Sequence, residues 1–322
     1  MRIAVLTSGG DAPGMNAAIR AVVRQADALG HEAWGVHRGY QGLLEGDVDP
    51  LPSRACANIL QRGGTILHTA RCPEFFDPAQ RARAAGHLRN AGIEALVVIG
   101  GDGSFRAAEV LQREQGVACA GIPGTIDNDL PGTERTLGFD TALNTAVEAI
   151  DRIRDTASSH GRLFLVEVMG RSSGMLAVHT AIACGAEAVL YPESPEDSYE
   201  NLVSRLNANW LRGKRSSIVV VAEGDMVGRA MAVGERLKRD HDLDLRVVVL
   251  GHVQRGGSPS AMDRIWGSRW GAEAVRRLDR GERGFYLGEM AGAMVAQPLS
   301  KVLEPQPVPP GELGRLVSVL AR

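Results

Sequence analysis

The sequence predicts an α/β protein built on doubly wound, mainly parallel β-sheets. Short apolar runs recur along the chain, and each ends in glycine or in a cluster of polar residues. The runs are residues 3–6, 95–99, 163–168, 218–221 and 247–250. Such runs are typical of strands buried on both faces of a parallel sheet. In these sheets ligands bind beyond the carboxyl ends of the strands, which is where the polar clusters fall.

Helical patterns separate the predicted strands. Apolar residues at positions 15, 18, 19, 22 and 23 follow the spacing of one helix face, with Arg20 and Arg24 on the opposite face. Asp140 is a candidate N-cap for another helix, whose apolar residues are at positions 143, 146, 147 and 150. Because strands and helices alternate, the sequence favours doubly wound α/β layers.

Length and composition exclude several classes of protein. The chain has 322 residues, enough for two domains, and a formal net charge of −2. This charge offers no basic surface for nucleic acid or an anionic membrane. No apolar run approaches the roughly 20 residues of a membrane span, and we expect no secretion signal before the first strand. The four cysteines form no CxxC pair, so we expect reduced thiols in a cytoplasmic protein.

Residues 123–129 contain a threonine and two aspartates directly behind a Pro-Gly turn. If this segment is extended, its period of two places Thr125, Asp127 and Asp129 on one side. Two carboxylates this close repel each other, and proteins use such pairs to bind a metal ion or to transfer a proton. The alternative is a polar turn that caps a helix.

Two glycine-rich segments follow predicted strands. In residues 8–16, bare backbone amides at the start of a helix would suit a phosphate, although the lysine of a Walker loop is missing. A plain tight turn is the alternative there. Residues 100–104 add an acid, Asp102, which suits Mg²⁺ because that ion takes its other ligands from phosphate and water. An Asx-turn is the alternative role for Asp102.

Basic and hydrogen-bonding side chains complete the predicted site. Five arginines stand next to a strand end or a glycine cluster, and guanidinium groups match phosphate geometry. They are Arg71, Arg162, Arg171, Arg246 and Arg255. His252 could donate to a sugar phosphate or satisfy a loop carbonyl. Glu223 could accept from sugar hydroxyls or pair with a nearby arginine, and Met169 packs against core or ligand.

Five motifs together resemble the bacterial ATP-dependent 6-phosphofructokinases, and the similarity extends from Met1 to about residue 302. The motifs are residues 6–16, 100–104, 123–129, 167–171 and 251–257. The resemblance implies transfer of the γ-phosphoryl group of Mg-ATP to the 1-hydroxyl of fructose 6-phosphate in glycolysis. It also implies two doubly wound three-layer α/β/α domains with the active site in the cleft between them. The larger, ATP-binding domain would be residues 1–138 with 253–304, and the smaller, fructose 6-phosphate-binding domain residues 139–252 with 305–322.

The resemblance further implies a role for each matching residue. Asp127 matches the general base, Asp129 lies near the metal, and Asp102 matches the Mg²⁺ ligand. Thr125 and Arg171 match residues that steady the transferring phosphoryl group. The residues that match the ATP site are Gly10, Arg71, Cys72, Gly101, Asp102, Gly103 and Ser104.

The implied fructose 6-phosphate site draws on both halves of the chain. Its matching residues are Thr125, Ile126, Asp127, Arg162, Met169, Gly170, Arg171, Glu223, Arg246, His252 and Arg255. Arg162 and Arg246 match residues that reach in from a neighbouring subunit, so the resemblance implies a homotetramer.

Two glycines indicate the phosphoryl donor. In pyrophosphate-using relatives the residue at position 103 is typically Asp and that at position 124 typically Lys, whereas this chain has Gly103 and Gly124. A side chain at position 103 would obstruct a nucleotide, so the glycine favours ATP. The alternatives are a pyrophosphate-dependent enzyme of the same fold and a non-catalytic sensor of nucleotides or sugar phosphates.

The resemblance also implies an allosteric site between subunits, which binds a nucleoside diphosphate such as ADP, or phosphoenolpyruvate. The matching residues are Arg20, Arg24, Arg154, Gly185, Glu187, Arg212 and Lys214. Ser216 stands where bacterial relatives often carry a histidine, and the segment before Cys56 departs from the family pattern. We interpret residues 305–310 as an extended connector before a short final helix with apolar residues at positions 313, 316, 317 and 320.

Overall fold

The computed structural model describes residues 1–194, 199–214, 216–224, 228–305 and 311–321. The strands in these ranges are β1 (Arg2–Thr7), β2 (Glu32–Val36), β3 (Val48–Pro50), β4 (Ala95–Gly100), β5 (Ala118–Thr125), β6 (Leu137–Gly138), β7 (Leu163–Val168), β8 (Ala188–Leu190), β9 (Ser217–Ala222), β10 (Leu245–Val249), β11 (Phe285–Met290) and β12 (Ala293–Pro298). The helices are α1 (Met15–Ala28), α2 (Gly39–Glu45), α3 (Pro78–Asn90), α4 (Asp102–Gln115), α5 (Phe139–His160), α6 (Met175–Cys184), α7 (Tyr199–Leu211), α8 (Arg229–His241), α9 (Ala261–Asp279) and α10 (Gly311–Leu320). Short 3₁₀ turns cover Ser53–Cys56, Pro73–Phe76, Gly251–Arg255 and Leu299–Leu303.

The chain divides into two compact units. Unit 1 comprises Met1–Thr141 and Arg255–Gln306, and unit 2 comprises Ala142–Gln254 and Pro307–Arg322. Each unit has its own sheet, and each sheet is mainly parallel, as the apolar runs predicted. No helix in the described ranges combines the length and the apolar character that a bilayer crossing requires.

The sheet of unit 1 has eight strands in the described part of the chain. Seven follow the order β12-β11-β5-β4-β1-β2-β3, and β6 pairs with β5. The pairs β2–β3 and β11–β12 are antiparallel, whereas β1, β2, β4, β5 and β11 run parallel to their other neighbours. The two antiparallel pairs close the edges of the sheet.

Helices cover both faces of the unit 1 sheet. On one face Leu6 and Val98 pack in a cluster with residues of α2, α3 and α4. The alternation of a strand turns Val5 to the opposite face, where α1 lies. Helix α9 approaches α1 closely, since a Cβ at Gly271 would be only 2.6 Å from the carbonyl oxygen of Ala18. Unit 1 is therefore a three-layer α/β/α arrangement.

The sheet of unit 2 is parallel throughout its described strands, in the order β10-β7-β9-β8. Alternate residues of β7 again face two helical layers. Leu165 packs in a cluster with α7 and α8. Val166 packs in a second cluster with α5, α6 and Val317 of α10. The predicted three-layer architecture is thus present in this unit as well.

Some details of the sequence prediction are wrong. The run at residues 247–250 is not buried on both faces: β10 is an edge strand, and Val249 is 41% exposed. Asp140 is not an N-cap, because α5 already begins at Phe139. The helix predicted around positions 313–320 is confirmed as α10. Residues 306–310 of the predicted connector lie outside the described residues.

Candidate active site

The predicted ATP segments follow β1 and β4, which are neighbours in the unit 1 sheet. The chain runs from β1 to β2 on one side and returns to β4 and β5 on the other, so the strand order reverses between β1 and β4. Doubly wound sheets bind ligands at such a reversal. The Ser8 N–H donates to the Ile99 carbonyl over 3.0 Å, which joins the two segments.

The first glycine-rich segment is a loop, because α1 begins only at Met15. The segment is therefore a turn between a strand and a helix, as the sequence predicted, and the left-handed N-cap of α1 is Gly14. Arg255 lies on this loop, and its Nη1 donates to the Asp11 carbonyl over 3.2 Å. A Cβ at Gly10 would be 2.5 Å from the same nitrogen, so a glycine there lets the guanidinium group approach the backbone.

The second glycine-rich segment does start a helix. Gly101 is the N-cap of α4, and Asp102 is its first residue, so helix N–H groups point toward this end. The Asp102 carboxylate accepts from Arg106 Nε at 2.8 and 3.0 Å, an i,i+4 ion pair in place of the Asx-turn alternative. Arg106 also donates to the Val302 carbonyl over 2.9 Å. The carboxylate proposed for a metal is thus held next to a phosphate-suited helix end.

The two donor-indicating glycines have different surroundings. A Cβ at Gly103 would meet no described atom within 4 Å, so packing within the described chain does not require glycine there. A Cβ at Gly124 would be 3.1 Å from both Ile99 Cγ2 and Met15 Cε. Glycine at position 124 therefore has a packing reason, while the open space at Gly103 is what a bound nucleotide would need.

Arg71 and Cys72 belong to the loop before the Pro73–Phe76 turn. This loop is joined to the first glycine-rich segment, because the Thr69 hydroxyl donates to the Gly9 carbonyl over 2.8 Å. Arg71 is exposed, and Cys72 is half-buried against the cluster of α2, α3 and α4. Burial raises the pKa of the Cys72 thiol.

Residues 123–129 are not the extended segment that the sequence predicted. Strand β5 ends at Thr125, and Asn128 has a left-handed φ of 49°. The period-two argument for Thr125, Asp127 and Asp129 is therefore wrong. A turn brings the first two together instead, because the Asp127 N–H donates to Thr125 Oγ1 over 3.1 Å.

The surroundings hold this turn in place. The Thr136 hydroxyl donates to the Thr125 carbonyl over 2.6 Å, and Asn128 Nδ2 donates to the Glu134 carbonyl over 3.0 Å. Asp127 is 3% exposed. A Cβ at Gly101 would be 3.6 Å from Thr125 Cβ, so the turn adjoins the start of α4. The structure thus brings Thr125 next to the predicted ATP segment.

In unit 2 the loops after β7, β9 and β10 lie together at the carboxyl ends of the parallel strands. Gly170 has a φ of 136°, and a Cβ there would be 2.6 Å from the Ser173 carbonyl oxygen. The Arg171 N–H donates to Glu223 Oε1 over 3.1 Å. Glu223 therefore fixes the backbone of Arg171, a contact that neither alternative for Glu223 anticipated. The buried carboxylate orients the turn that carries the predicted phosphoryl-steadying arginine.

Two buried side chains of unit 2 hold the loops at the carboxyl ends of the strands, and the sequence analysis assigned no role to either. Gln254 Oε1 accepts from the Met169 N–H over 2.9 Å. Glu167 accepts from the Gly228 and Ala230 N–H groups, each over 2.8 Å, at the start of α8. Both residues lie within motifs already noted. A polar residue inside an apolar strand, as Glu167 is, was the available signal.

Arg162 and Arg246 lie at the other end of the unit 2 sheet, near the amino ends of the strands. Arg162 precedes β7, and Arg246 is the second residue of β10. Asp244 joins them: it accepts from Arg162 Nε over 3.0 Å and from Arg246 Nη1 over 2.7 Å. These bonds hold the pKa of the Asp244 carboxyl below its ordinary value, the Arg162 hydrogen bond most of all.

The length of β7 separates these arginines from the loops after the strands. The strand has six residues, and each residue advances the chain by about 3.3 Å, so the amino and carboxyl ends of the strand are roughly 20 Å apart. One sugar phosphate does not reach that far. Within one copy of unit 2, Arg162 and Arg246 therefore do not share a site with Met169, Gly170 and Glu223.

His252 is exposed within the Gly251–Arg255 turn. No hydrogen bond joins its imidazole to another described residue, so the loop-carbonyl alternative lacks a partner in that part of the chain. The side chain is available to a ligand.

The predicted effector residues form one group in each unit. In unit 1, Arg20 and Arg24 lie near the thiol of Cys56. Burial raises the pKa of this thiol to about 11, and the positive charges of the two arginines partly offset that rise. In unit 2, Arg154 Nη2 donates to the Gly185 carbonyl over 3.3 Å.

The other effector residues of unit 2 adjoin this pair. Lys214 Nζ is 3.7 Å from Glu187 Oε1. Glu187 and Arg212 both line a pocket at the end of α7. Five effector residues that the resemblance implied are thus neighbours within unit 2.

Comparison with known proteins agrees with this fold and these motifs. The family model described as phosphofructokinase matches residues 2–278. This chain belongs to the phosphofructokinase family. It is 54% identical over 320 residues to ATP-dependent 6-phosphofructokinase 1 of Thermus thermophilus, covering 99% of both chains. It is 52% identical over 302 residues to ATP-dependent 6-phosphofructokinase of Bacillus cytotoxicus, covering 94% of this chain and 93% of that one.

Solved phosphofructokinase structures have the same fold. That of Saccharomyces cerevisiae matches with a TM-score of 0.88 and 36% identity, over 94% of this chain and 45% of the yeast chain. This phosphofructokinase therefore spans less than half the length of its yeast relative. A pyrophosphate-dependent phosphofructokinase of Marinobacter aquaeolei matches with a TM-score of 0.84 at 23% identity, over 98% of this chain and 88% of that one, a likeness of fold alone.

Proposed function

We propose that this phosphofructokinase is an ATP-dependent 6-phosphofructokinase. It transfers the γ-phosphoryl group of ATP to the 1-hydroxyl of fructose 6-phosphate and produces fructose 1,6-bisphosphate and ADP. The observation that carries the proposal is the Thr125–Asp127 turn, which adjoins Gly101 at the start of α4. Two relatives at 54% and 52% identity carry this activity in their names, which supports the assignment.

The carboxylate of Asp127 is the proposed general base. It takes the proton of the 1-hydroxyl as that oxygen attacks the γ-phosphorus of ATP. The bond from phosphorus to the β–γ bridging oxygen breaks, and ADP leaves with those electrons. Thr125 and Arg171 stabilise the charge on the transferring group, and most of the acceleration comes from positioning and charge neutralisation.

The residues present fit a Mg²⁺ ion bound with ATP. Asp102 offers a carboxylate at the phosphate-suited end of α4, and Asp129 follows the Thr125–Asp127 turn. Magnesium usually takes only one or two protein carboxylates beside phosphate and water, which agrees with this donor set. The ion would neutralise charge on the ATP phosphates. One N–H of Arg106 contacts the Asp102 carboxylate, and a carboxylate has about four lone-pair sites, so the ion can bind beside this contact.

The substrates are divided between the units in this proposal. ATP contacts the glycine-rich segments of unit 1 together with Arg71 and Cys72. Fructose 6-phosphate contacts Ile126 and Arg255 of unit 1 and the loops after β7, β9 and β10 of unit 2. Open space at Gly103 supports ATP as the donor.

A homotetramer is part of the same proposal. The roughly 20 Å between the amino and carboxyl ends of the unit 2 strands supports it. In a tetramer, Arg162 and Arg246 can contribute to the substrate site of a second copy. Asp244 already holds these arginines side by side. A site completed by a neighbouring subunit also gives a route for cooperative binding.

Regulation by ADP or phosphoenolpyruvate is proposed for the effector residues. The neighbouring Arg154, Gly185, Glu187, Arg212 and Lys214 of unit 2 support an anion site there. Arg20 and Arg24 on α1 would add two further guanidinium groups.

Substitution of the general base tests the proposal. We expect Asp127→Ser to lower kcat by about 10²–10⁴-fold, while the half-saturating concentration of fructose 6-phosphate changes far less. A coupled assay with ATP or pyrophosphate as donor measures both enzymes, and thermal unfolding checks that the variant is folded. Near-normal turnover of the variant would remove Asp127 from the mechanism. Activity of the wild type with pyrophosphate alone would overturn the assignment of the donor.

A further inference from the structure

We propose that helix α10 forms one wall of the effector pocket, so that the charge on this helix sets the affinity for the effector. The inference rests on the regulatory part of the proposed function. The family resemblance supplied no role for this segment. Its contacts in unit 2 supply one.

The pocket lies between the end of α7 and the end of α10, and its volume is about 150 Å³. Its lining residues are Glu187, Ser204, Arg205, Ala208, Asn209, Arg212, Ser318 and Ala321. Two of them, Glu187 and Arg212, are effector residues that the family resemblance implied. Ser318 belongs to α10, and Ala321 directly follows this helix, so the wall opposite α7 comes from this part of the chain.

Helix α10 is firmly attached to unit 2. Val317 is 1% exposed and packs in the cluster formed by β7, β9, α5 and α6. Leu313 packs against the same cluster. Ser318 and Ala321 therefore have fixed positions next to the pocket. A helix held this way can act as a wall.

The end of α10 also contacts a predicted effector side chain directly. Lys214 Nζ donates to the Ala321 carbonyl over 2.7 Å and is 3.7 Å from Glu187 Oε1. Glu187 is fixed in turn, because its Oε2 accepts from the Ile218 N–H over 2.7 Å. The ammonium group of Lys214 is thus positioned by α10 on one side and by Glu187 on the other.

The charges around the pocket suit an anionic ligand. Arg205 and Arg212 line it, Lys214 adjoins it, and Glu187 is already engaged by Lys214 and by backbone. Guanidinium and ammonium groups bind phosphates, which both phosphoenolpyruvate and ADP carry, and carboxylates, which phosphoenolpyruvate also carries. Ser318 is neutral, so a charge placed on it changes the field in the pocket without removing any of these cations.

A pair of opposite charges at position 318 tests the inference. We expect Ser318→Asp to weaken binding of phosphoenolpyruvate and ADP about tenfold or more, because the new carboxylate repels them at short range. Ser318→Lys should strengthen binding several-fold, roughly 3- to 10-fold, for the same reason. Val319→Asp and Val319→Lys are the controls, since Val319 is on the same helix and is 56% exposed. Screening by solvent and salt should keep their effects within about twofold.

Two measurements are needed for each variant. Calorimetric titration of the substrate-free enzyme with phosphoenolpyruvate or ADP gives the affinity. The coupled assay gives the effector concentration that produces half of the change in the half-saturating fructose 6-phosphate. Opposite shifts for the two Ser318 variants cannot come from a folding defect, which would weaken binding in both.

The outcomes separate the inference from the proposed function. Shifts of the same sign at position 318, or shifts no larger than those of the Val319 controls, would overturn the role of α10. A wild-type enzyme with kinase activity but no binding of either effector would overturn it too and leave the kinase assignment standing. Absence of kinase activity would refute the proposed function, while calorimetry would still decide whether the pocket binds anions.

Discussion

Replacement of Gly103 by alanine separates folding stability from ATP binding. Gly103 is the second residue of α4, and a Cβ there would meet no described atom within 4 Å. The protein itself therefore tolerates a methyl group at this position. A nucleotide bound against the start of α4 would not, because its phosphates must approach the backbone closely.

The expected magnitudes have opposite signs. Alanine in place of a helical glycine stabilises a protein by roughly 0.5–1 kcal/mol. For a chain of 322 residues, this corresponds to a rise in Tm of about 0.7–1.5 °C, at an unfolding entropy of about 2.1 cal/mol/K per residue. A methyl group forced into a filled site costs about 1–3 kcal/mol. At 1.4 kcal/mol for each factor of ten, the KM for ATP should rise about 5- to 150-fold.

Gly86→Ala is the matched control. Gly86 lies within α3, and a Cβ there also meets no described atom within 4 Å. We expect a similar gain in Tm with an unchanged KM for ATP. Differential scanning calorimetry and the coupled assay measure the two quantities. If Gly103→Ala leaves the KM for ATP unchanged, the nucleotide does not bind at the start of α4 and the argument for the donor fails.

Two further predictions concern the thiols and the paired arginines. We expect a thiol reagent at pH 8 to label Cys72 before Cys119, because Cys119 is fully buried and burial raises the pKa of its thiol to about 12. We expect ATP to slow the labelling of Cys72. Mass spectrometry of the labelled protein measures the order, and equal labelling of Cys119 would contradict the prediction. We expect Asp244→Asn to raise the half-saturating concentration of fructose 6-phosphate about 2- to 10-fold with little change in kcat, because Arg162 and Arg246 lose the carboxylate that aligns them. Asp244→Glu should restore part of this affinity in the coupled assay. An unchanged half-saturating concentration in Asp244→Asn would show that the two arginines do not bind the substrate.

Local patterns were sufficient for most helices and strands. The apolar run at residues 95–99 and the helical spacing after Met15 correspond to β4 and α1. Both elements are buried, so apolar periodicity reports their environment directly. The run at residues 247–250 misled for the same reason, since its apolar residues belong to an edge strand that is partly exposed.

Local patterns failed where one residue redirects the backbone. The left-handed Asn128 ends the extended geometry after Thr125, and a side-chain hydrogen bond replaces the expected alternation. Turn geometry of this kind depends on hydrogen bonds to distant segments, such as the bond from Thr136 to the Thr125 carbonyl.

The sequence by itself determined the alternation of strands and helices, the motifs and hence the family of this protein. It named Arg162, Arg246 and Glu223 as parts of one predicted site. Only the tertiary structure decided that the two arginines and Glu223 lie at opposite ends of the strands of one sheet. It also decided that Ser318 of α10 lines the same pocket as Glu187 and Arg212. Strand order and register arise from pairing between distant segments, and no local pattern encodes which segments meet.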